Sequence, residues 1–411
     1  MDKYVLLMWI LVSTVAGGLS LSILTFTLPW FVLQTTGSAG RAGLVVFAQL
    51  TPLLVARLLA GPVLDRVGLG KVAVICSFIE TGSVGTMTLL AATDQLTYAA
   101  LVGLVALLGA ASGAGSLAKS FLAPSAAKLV GLKESRAISM NTTAMTAGRV
   151  AGPLAGSMMA AANPAIGMGI VAALQFLGAV IIMRLPSDME PDSAPQDKEG
   201  YWKSLTGGIV YFGRDKLLVR LHLMLALLGV LMSPMNGVVL PLWAEQAHSG
   251  PQIIGVLTTV AACAGLVGGF IAIHATEKVR PSLVFAGGYL FLVPQLLVMA
   301  LGVPLWGVSL AWIVAGFAGA FPQPVVEKVT YHHPELEFRS RVRALGSSTT
   351  YMGNAVGNLV VGLAVDRYGL TGPLIGAAVI YVGVVIWFLA QSDIRQLKPD
   401  IGREVAEDDS R

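Results

Sequence analysis

Gly61-Pro62-Val63-Leu64-Asp65-Arg66-Val67-Gly68 closes one long apolar run and turns the chain into the next. Two opposite charges and two glycines interrupt a segment otherwise almost free of charge. The apolar runs on either side are too long for buried helices of a soluble core. At about 1.5 Å per helical residue, roughly 20 apolar residues cross a hydrocarbon layer ~30 Å thick. The octapeptide therefore reads as a polar turn between two membrane spans.

The rest of the chain extends that reading. Of 411 residues, 55% are hydrophobic and only 12% charged, and the mean hydropathy is +0.75; soluble domains carry about 25% charged residues. Twelve spans follow, at 5–33, 42–64, 72–92, 98–121, 138–162, 164–184, 217–243, 252–274, 281–301, 304–326, 344–364 and 372–391. The expected class is an all-α membrane protein. No cleavable leader is expected, because the first run exceeds a signal's apolar region and leads at once into another span. Cys76 and Cys263 both fall inside spans, so neither a disulfide framework nor a metal site is expected.

Basic residues set the orientation. With the N-terminus inside, sixteen Lys and Arg fall on inner loops: Arg66, Lys71, Lys128, Lys133, Arg136, Lys198, Lys203, Arg214, Lys216, Arg220, Lys278, Arg280, Lys328, Arg339, Arg341 and Arg343. Only Arg41 and Arg367 fall outside, so both termini are expected in the cytoplasm of a multi-pass protein of a bacterial inner membrane. Net charge is a modest +4, distributed by membrane side, which argues against a nucleic-acid partner. Four segments follow: a first six-helix bundle over 1–186, a cytoplasmic linker with an interfacial helix over 187–216, a second bundle over 217–392, and a tail over 393–411.

The halves repeat each other. At an offset of 212, Leu28-Pro29 meets Leu240-Pro241, Gly43 meets Gly255, and Asp65-Arg66-Val67 meets Glu277-Lys278-Val279. Phe121, Pro124 and Lys128 recur as Phe321, Pro324 and Lys328 at 200, and Gly148 and Gly152 as Gly353 and Gly357 at 205. Several matches in one order and at nearly constant offset mark an internal duplication.

Twelve spans in two repeats, with Gly-x-x-x-Asp-Arg-x-Gly at 61–68, resemble the major facilitator superfamily. That family's turn continues with two further basic residues, where this chain has Leu69-Gly70-Lys71. Arg149-Val150-Ala151-Gly152-Pro153-Leu154-Ala155-Gly156 is similar to the Gly-Pro motif of superfamily exporters. Leu28-Pro29-Trp30, Thr36-Gly37-Ser38-Ala39 and the approach from Pro124 to Ser139 are similar to the branch of drug, macrolide and siderophore exporters. The resemblance implies two pseudo-symmetric six-helix bundles. It also implies a proton-coupled antiporter that exports amphipathic or hydrophobic small molecules by alternating access. A facilitator, importer or lipid flippase on the same scaffold is the alternative.

Site residues follow. Gly61, Asp65, Arg66, Gly68 and Lys71, with Glu277 and Lys278 as the degenerate copy, are expected to form an inner latch between the halves; an ordinary solvated turn is the other possibility. Arg57, Glu80 and Arg149 all lie roughly 12–15 Å above the inner edge. Each costs about 2.5–3.5 kcal/mol to bury unpaired, so one charge cluster is expected. Glu80 either carries the coupling proton or belongs to a permanent ion pair. Gly148, Gly152, Pro153 and Gly156 are expected to make a tight seam between the halves, mirrored by Gly353 and Gly357; generic small-residue packing is the plainer reading. Phe26, Trp30, Met232, Met235, Asn236 and Trp312, on spans that line the pathway in the superfamily, are the expected substrate cavity.

Expected partners are a small molecule, protons and the lipid bilayer, with the chain a monomer. Gly68-Leu69-Gly70-Lys71-Val72 lacks the glycine spacing and the Ser/Thr of a phosphate-binding loop, so no nucleotide is expected to supply energy. Nothing groups a nucleophile with a base, so neither an enzyme nor a cofactor is expected.

Overall fold

The computed structural model describes residues 3–130, 134–184, 201–247, 250–275, 279–335 and 338–391, and among them there are helices and turns and no strand. The first half comprises α1 (Lys3–Thr36), α2 (Ala39–Val67), α3 (Leu69–Ala92), α4 (Tyr98–Val130), α5 (Glu134–Ala162) and α6 (Pro164–Met183). The linker supplies α7 (Tyr201–Arg214). The second half comprises α8 (Lys216–Pro234), a π-helical turn (Met235–Val239), α9 (Leu240–Gln246), α10 (Gln252–Ala275), α11 (Pro281–Leu290), α12 (Val293–Ala300), α13 (Leu305–Gly319), α14 (Pro322–His332), α15 (Arg339–Tyr368) and α16 (Thr371–Leu389).

Local chemistry explains where these helices start and break. Ser38 Oγ accepts from the Arg41 amide at 3.1 Å and opens α2, and Asp215 Oδ1 accepts from Leu217 and Leu218 at 3.0 and 3.1 Å and opens α8. Both satisfy amides that the first helical turn leaves without partners. Spans 7, 9 and 10 are broken, and each second piece, α9, α12 and α14, carries a proline at its start. Proline offers no amide hydrogen and crowds the carbonyl four residues back, so the break falls just before it.

Ten helical segments among the described residues are long and apolar enough to cross a membrane. Spans 5 and 11 are missing from that set although α5 and α15 run for 29 and 30 residues. Both helices are diluted by arginine, asparagine, serine and glycine. Their length is enough to cross a hydrocarbon layer, while their composition keeps them out of the apolar set.

The chain forms two compact units: residues 1–201 with 236–256, and residues 202–235 with 257–411. The expected division at the linker is thus incomplete, because 236–256 joins the first unit. The division falls inside the π-helical turn of span 7, beyond which α9 packs on α1. In the first unit, α1 packs on α5 and α6, α2 on α4, and α3 on α4 and α6. In the second, α8 packs on α15 and α16, and α12 on α13 and α16. Spans 1 and 5 of one unit thereby correspond to spans 7 and 11 of the other, as the glycine repeat requires.

Candidate functional site

The opening turn is a one-residue corner. α2 ends at Val67, α3 begins at Leu69, and Gly68 between them has φ +90°, with its amide donating to Leu64 O at 2.9 Å. A side chain at that φ is strained, so the motif's last glycine is a backbone requirement. Arg66 and Lys71 are exposed and Gly61 is half-buried. The Asp65 side chain, and Glu277 and Lys278 altogether, lie outside the described residues.

The same pattern occurs again at Gly362-Leu363-Ala364-Val365-Asp366-Arg367-Tyr368-Gly369, which the sequence reading passed over. Gly369 has φ +73° and donates to Val365 O at 2.9 Å, the same corner between α15 and α16. Counting spans puts it on the opposite membrane face. Its offset from the first copy, 301, falls outside the two-fold repeat, so a search for half-to-half matches misses it.

Inside the membrane, Glu80 is 7% exposed and pairs with Lys119, Nζ to Oε2 3.1 Å. Gly115, one turn before Lys119, makes room: a Cβ there would lie 2.8 Å from Cys76 Cβ and 3.6 Å from Glu80 Oε1. Ala111, Ala118, Ala73 and Cys76 keep the surrounding α3–α4 core similarly thin. The expected cluster of Arg57, Glu80 and Arg149 does not form. Arg57 and Arg149 are exposed and join no ion pair among the described residues. The azimuths separate them: Arg149 projects from α5, which packs on α1, whereas Glu80 faces α4. Lys119 was missed because it lies inside span 4, where loop charges are not counted.

The glycine edge of α5 is buried against α1, within one unit. A Cβ at Gly148 would strike Val15 O and lie 2.8 Å from Leu19 N; at Gly152 it would strike Ser22 Cβ; at Gly156 it would lie 2.9 Å from Ile23 Cα. Gly353 and Gly357 pack in the same way on Ala226 and Val230 of α8, beside an Asn358 Nδ2 to Ser233 Oγ hydrogen bond of 2.8 Å. The expected seam is therefore corrected. These glycines bring together spans 1 and 5, and 7 and 11, inside each unit, where a backbone atom of the facing helix lies too close to admit a side chain. Pro153, on the adjacent edge of α5, is buried, and its carbonyl would sit 2.9 Å from a Cβ at Gly255, in the part of α10 that belongs to the first unit.

Of the expected cavity residues, Phe26, Trp30, Met235 and Trp312 are buried, Met232 is half-buried and Asn236 is exposed. The large apolar side chains pack between helices, and only Met232 and Asn236 present accessible surface. Trp30 Nε1 and Trp312 Nε1 nonetheless have no acceptor among the described residues. Asn236 sits in the π-helical turn, where the amide register slips by one residue and backbone groups are freed.

Beyond the bundles, α7 forms where the interfacial helix is expected. Tyr211 stacks on Phe338 at 4.4 Å, and Tyr211 Oη accepts from the Glu335 amide at 3.2 Å. His333 Nε2 meets Asp215 Oδ2 at 2.8 Å. Sequence distance hid this pairing.

Comparison with known proteins gives a consistent picture. The sequence profile described as Major Facilitator Superfamily matches residues 10–236 and 223–407. The chain is 27% identical over 402 residues to the multidrug efflux pump Tap of Mycobacterium bovis (strain BCG / Pasteur 1173P2), covering 95% of this chain and 94% of that protein. It is 26% identical over 393 residues to the multidrug efflux pump Tap of Mycolicibacterium fortuitum, covering 93% and 95%. Among solved structures it resembles the nucleoside transporter NupG (TM-score 0.77, 15% identity, 97% and 100% covered). It also resembles a bacterial homolog of the human lysosomal transporter Spinster (TM-score 0.74, 13% identity, 95% and 97% covered).

Proposed function

Because the chain belongs to the Major Facilitator Superfamily, and is thus a membrane transporter and not an enzyme, we propose that it is a proton-coupled exporter of amphipathic or apolar small molecules, drug-like or siderophore-like. The observation that carries this reading is the Glu80–Lys119 pair between two membrane spans. The pair is unevenly buried, with 9% of the Glu80 side chain exposed against 32% of Lys119, so it is the Glu80 carboxylate that depends on its partner. A proton taken up by Glu80 removes that dependence and breaks the pair, and its release restores the pair. Proton binding is thereby linked to the packing of α3 on α4, so each arrangement of the helices favours one protonation state. The relatives' description as multidrug efflux pumps supports export as the direction.

The remaining parts follow from topology. The basic residues favour cytoplasmic termini in a bacterial inner membrane. Arg66, Lys71, Glu277 and Lys278, with Asp65, lie on the inner side of that topology as an electrostatic latch that opens and closes with the cycle. Asn236 and Met232, in and next to the π-helical turn, remain accessible to a substrate.

The test uses purified full-length protein in proteoliposomes, with ethidium as an apolar cationic probe and an interior pH dye. Expected is ethidium movement driven by an imposed pH gradient in the wild type. Glu80→Gln should retain ethidium exchange without a gradient and lose gradient-driven accumulation. Accumulation by Glu80→Gln equal to wild type removes Glu80 from coupling. Wild-type transport indifferent to the gradient makes the protein a facilitator.

A further inference from the structure

The second unit carries an open slot between α8 and α16, about 400 Å³ in volume and lined by Leu223, Leu227, Ile380, Gly383, Val384 and Trp387. All six lie inside apolar membrane spans, so the slot opens onto lipid rather than water. Gly383 creates it, since a Cβ there would have nothing within 4 Å.

Its two ends differ chemically. Lys216, Arg220, Leu223 and Leu227 are spaced four, three and four residues apart, which places them on one face of α8. That face starts with two cations at the membrane edge and continues as two leucines. On α16, Ile380, Gly383, Val384 and Trp387 share a face in the same way, and Trp387 lies two residues before the helix end at Leu389. Trp387 O accepts from Gln391 Nε2 at 3.1 Å, extending the polar end. Lys216 is exposed, and a tryptophan at a span's end sits at headgroup level. Ile380 to Trp387 rises roughly 10 Å, about two-thirds of one leaflet's hydrocarbon.

We propose that this slot binds one anionic glycerophospholipid, with an acyl chain against Leu223, Leu227 and Gly383 and the phosphate beside the exposed Lys216. A neutral apolar molecule would fill the apolar part but make no use of Lys216 at the membrane edge. The charge complementarity at one end and the apolar groove at the other fit a lipid that carries both. Because the slot is built from spans 7 and 12 of one unit, the lipid would brace α8 below its π-helical turn.

The test is native mass spectrometry of the full-length protein released from nanodiscs of mixed phosphatidylglycerol and phosphatidylcholine with matched acyl chains. The wild type should retain one phosphatidylglycerol in preference to phosphatidylcholine. Gly383→Leu, whose side chain enters the groove without meeting protein, should lose that lipid. Lys216→Gln should weaken retention about fivefold, as expected for one cation beside an anionic headgroup, and erase the preference. Should Gly383→Leu fail to fold, Lys216→Gln decides alone. Equal retention of the two lipids by the wild type, undiminished phosphatidylglycerol on either variant, or displacement of the lipid by ethidium overturns the assignment. None of these outcomes depends on transport.

Discussion

Gly68 and Gly369 hold the same left-handed corner on two turns of identical pattern, and the strain falls on whatever replaces them. Gly68→Ala and Gly369→Ala should each destabilise the protein by about 1–2 kcal/mol. Gly70→Ala, two residues from the first corner with open space around its Cβ, should be neutral or stabilising by up to about 1 kcal/mol. Denaturant unfolding of the three variants in detergent checks the contrast; equal losses would refute the backbone argument. The indoles at Trp30 and Trp312 make a second residue-level case. A buried donor without an acceptor costs about 1–3 kcal/mol, so Trp30→Phe should not lower the melting temperature. If the indole donates to a bound substrate, the same variant raises KM several-fold; an unchanged KM with lowered stability would make Trp30 a packing residue only.

At the scale of elements, the close approaches lie within each unit. Gly152 has no room for a side chain against Ser22, nor has Gly357 against Val230. Gly152→Val and Gly357→Val should each cost about 1–3 kcal/mol through overpacking, read as lowered thermal stability. A comparable substitution at Gly269, where a Cβ meets nothing within 4 Å, should leave stability unchanged. For the α3–α4 pair, Lys119→Met alone should be severely destabilising, by about 3–5 kcal/mol, while Glu80→Gln with Lys119→Met should recover most of the loss. Failure of the double variant to recover would show that the two residues are not energetically coupled. The glycine spacing in α5 and α15 was legible in the sequence; its partner helix was not, because a small-residue stripe states that something approaches closely without stating what.

For the whole molecule, two units are the frame in which the proposed proton coupling would act. If Glu80 carries the proton, the pH dependence of transport should flatten in Glu80→Gln while the Arg57→Gln and Arg149→Gln variants keep a wild-type profile, because neither arginine joins the pair. Rate measurements across pH in proteoliposomes check this, and a flattened profile in Arg149→Gln would restore the charge cluster that the geometry separates. Apolar run lengths determined by themselves that this chain is an all-α, multi-pass membrane protein, since lipid admits backbone only as closed helices or closed barrels and each span must be long enough to cross it. Tertiary structure alone decided that Glu80 meets Lys119, that the glycine edges face α1 and α8, that the aromatic candidates are buried, and that an apolar groove opens beside Gly383. These depend on the azimuth at which each helix meets its neighbours. A sequence records depth along a helix at 1.5 Å per residue, and it leaves that angle to the packing of the whole.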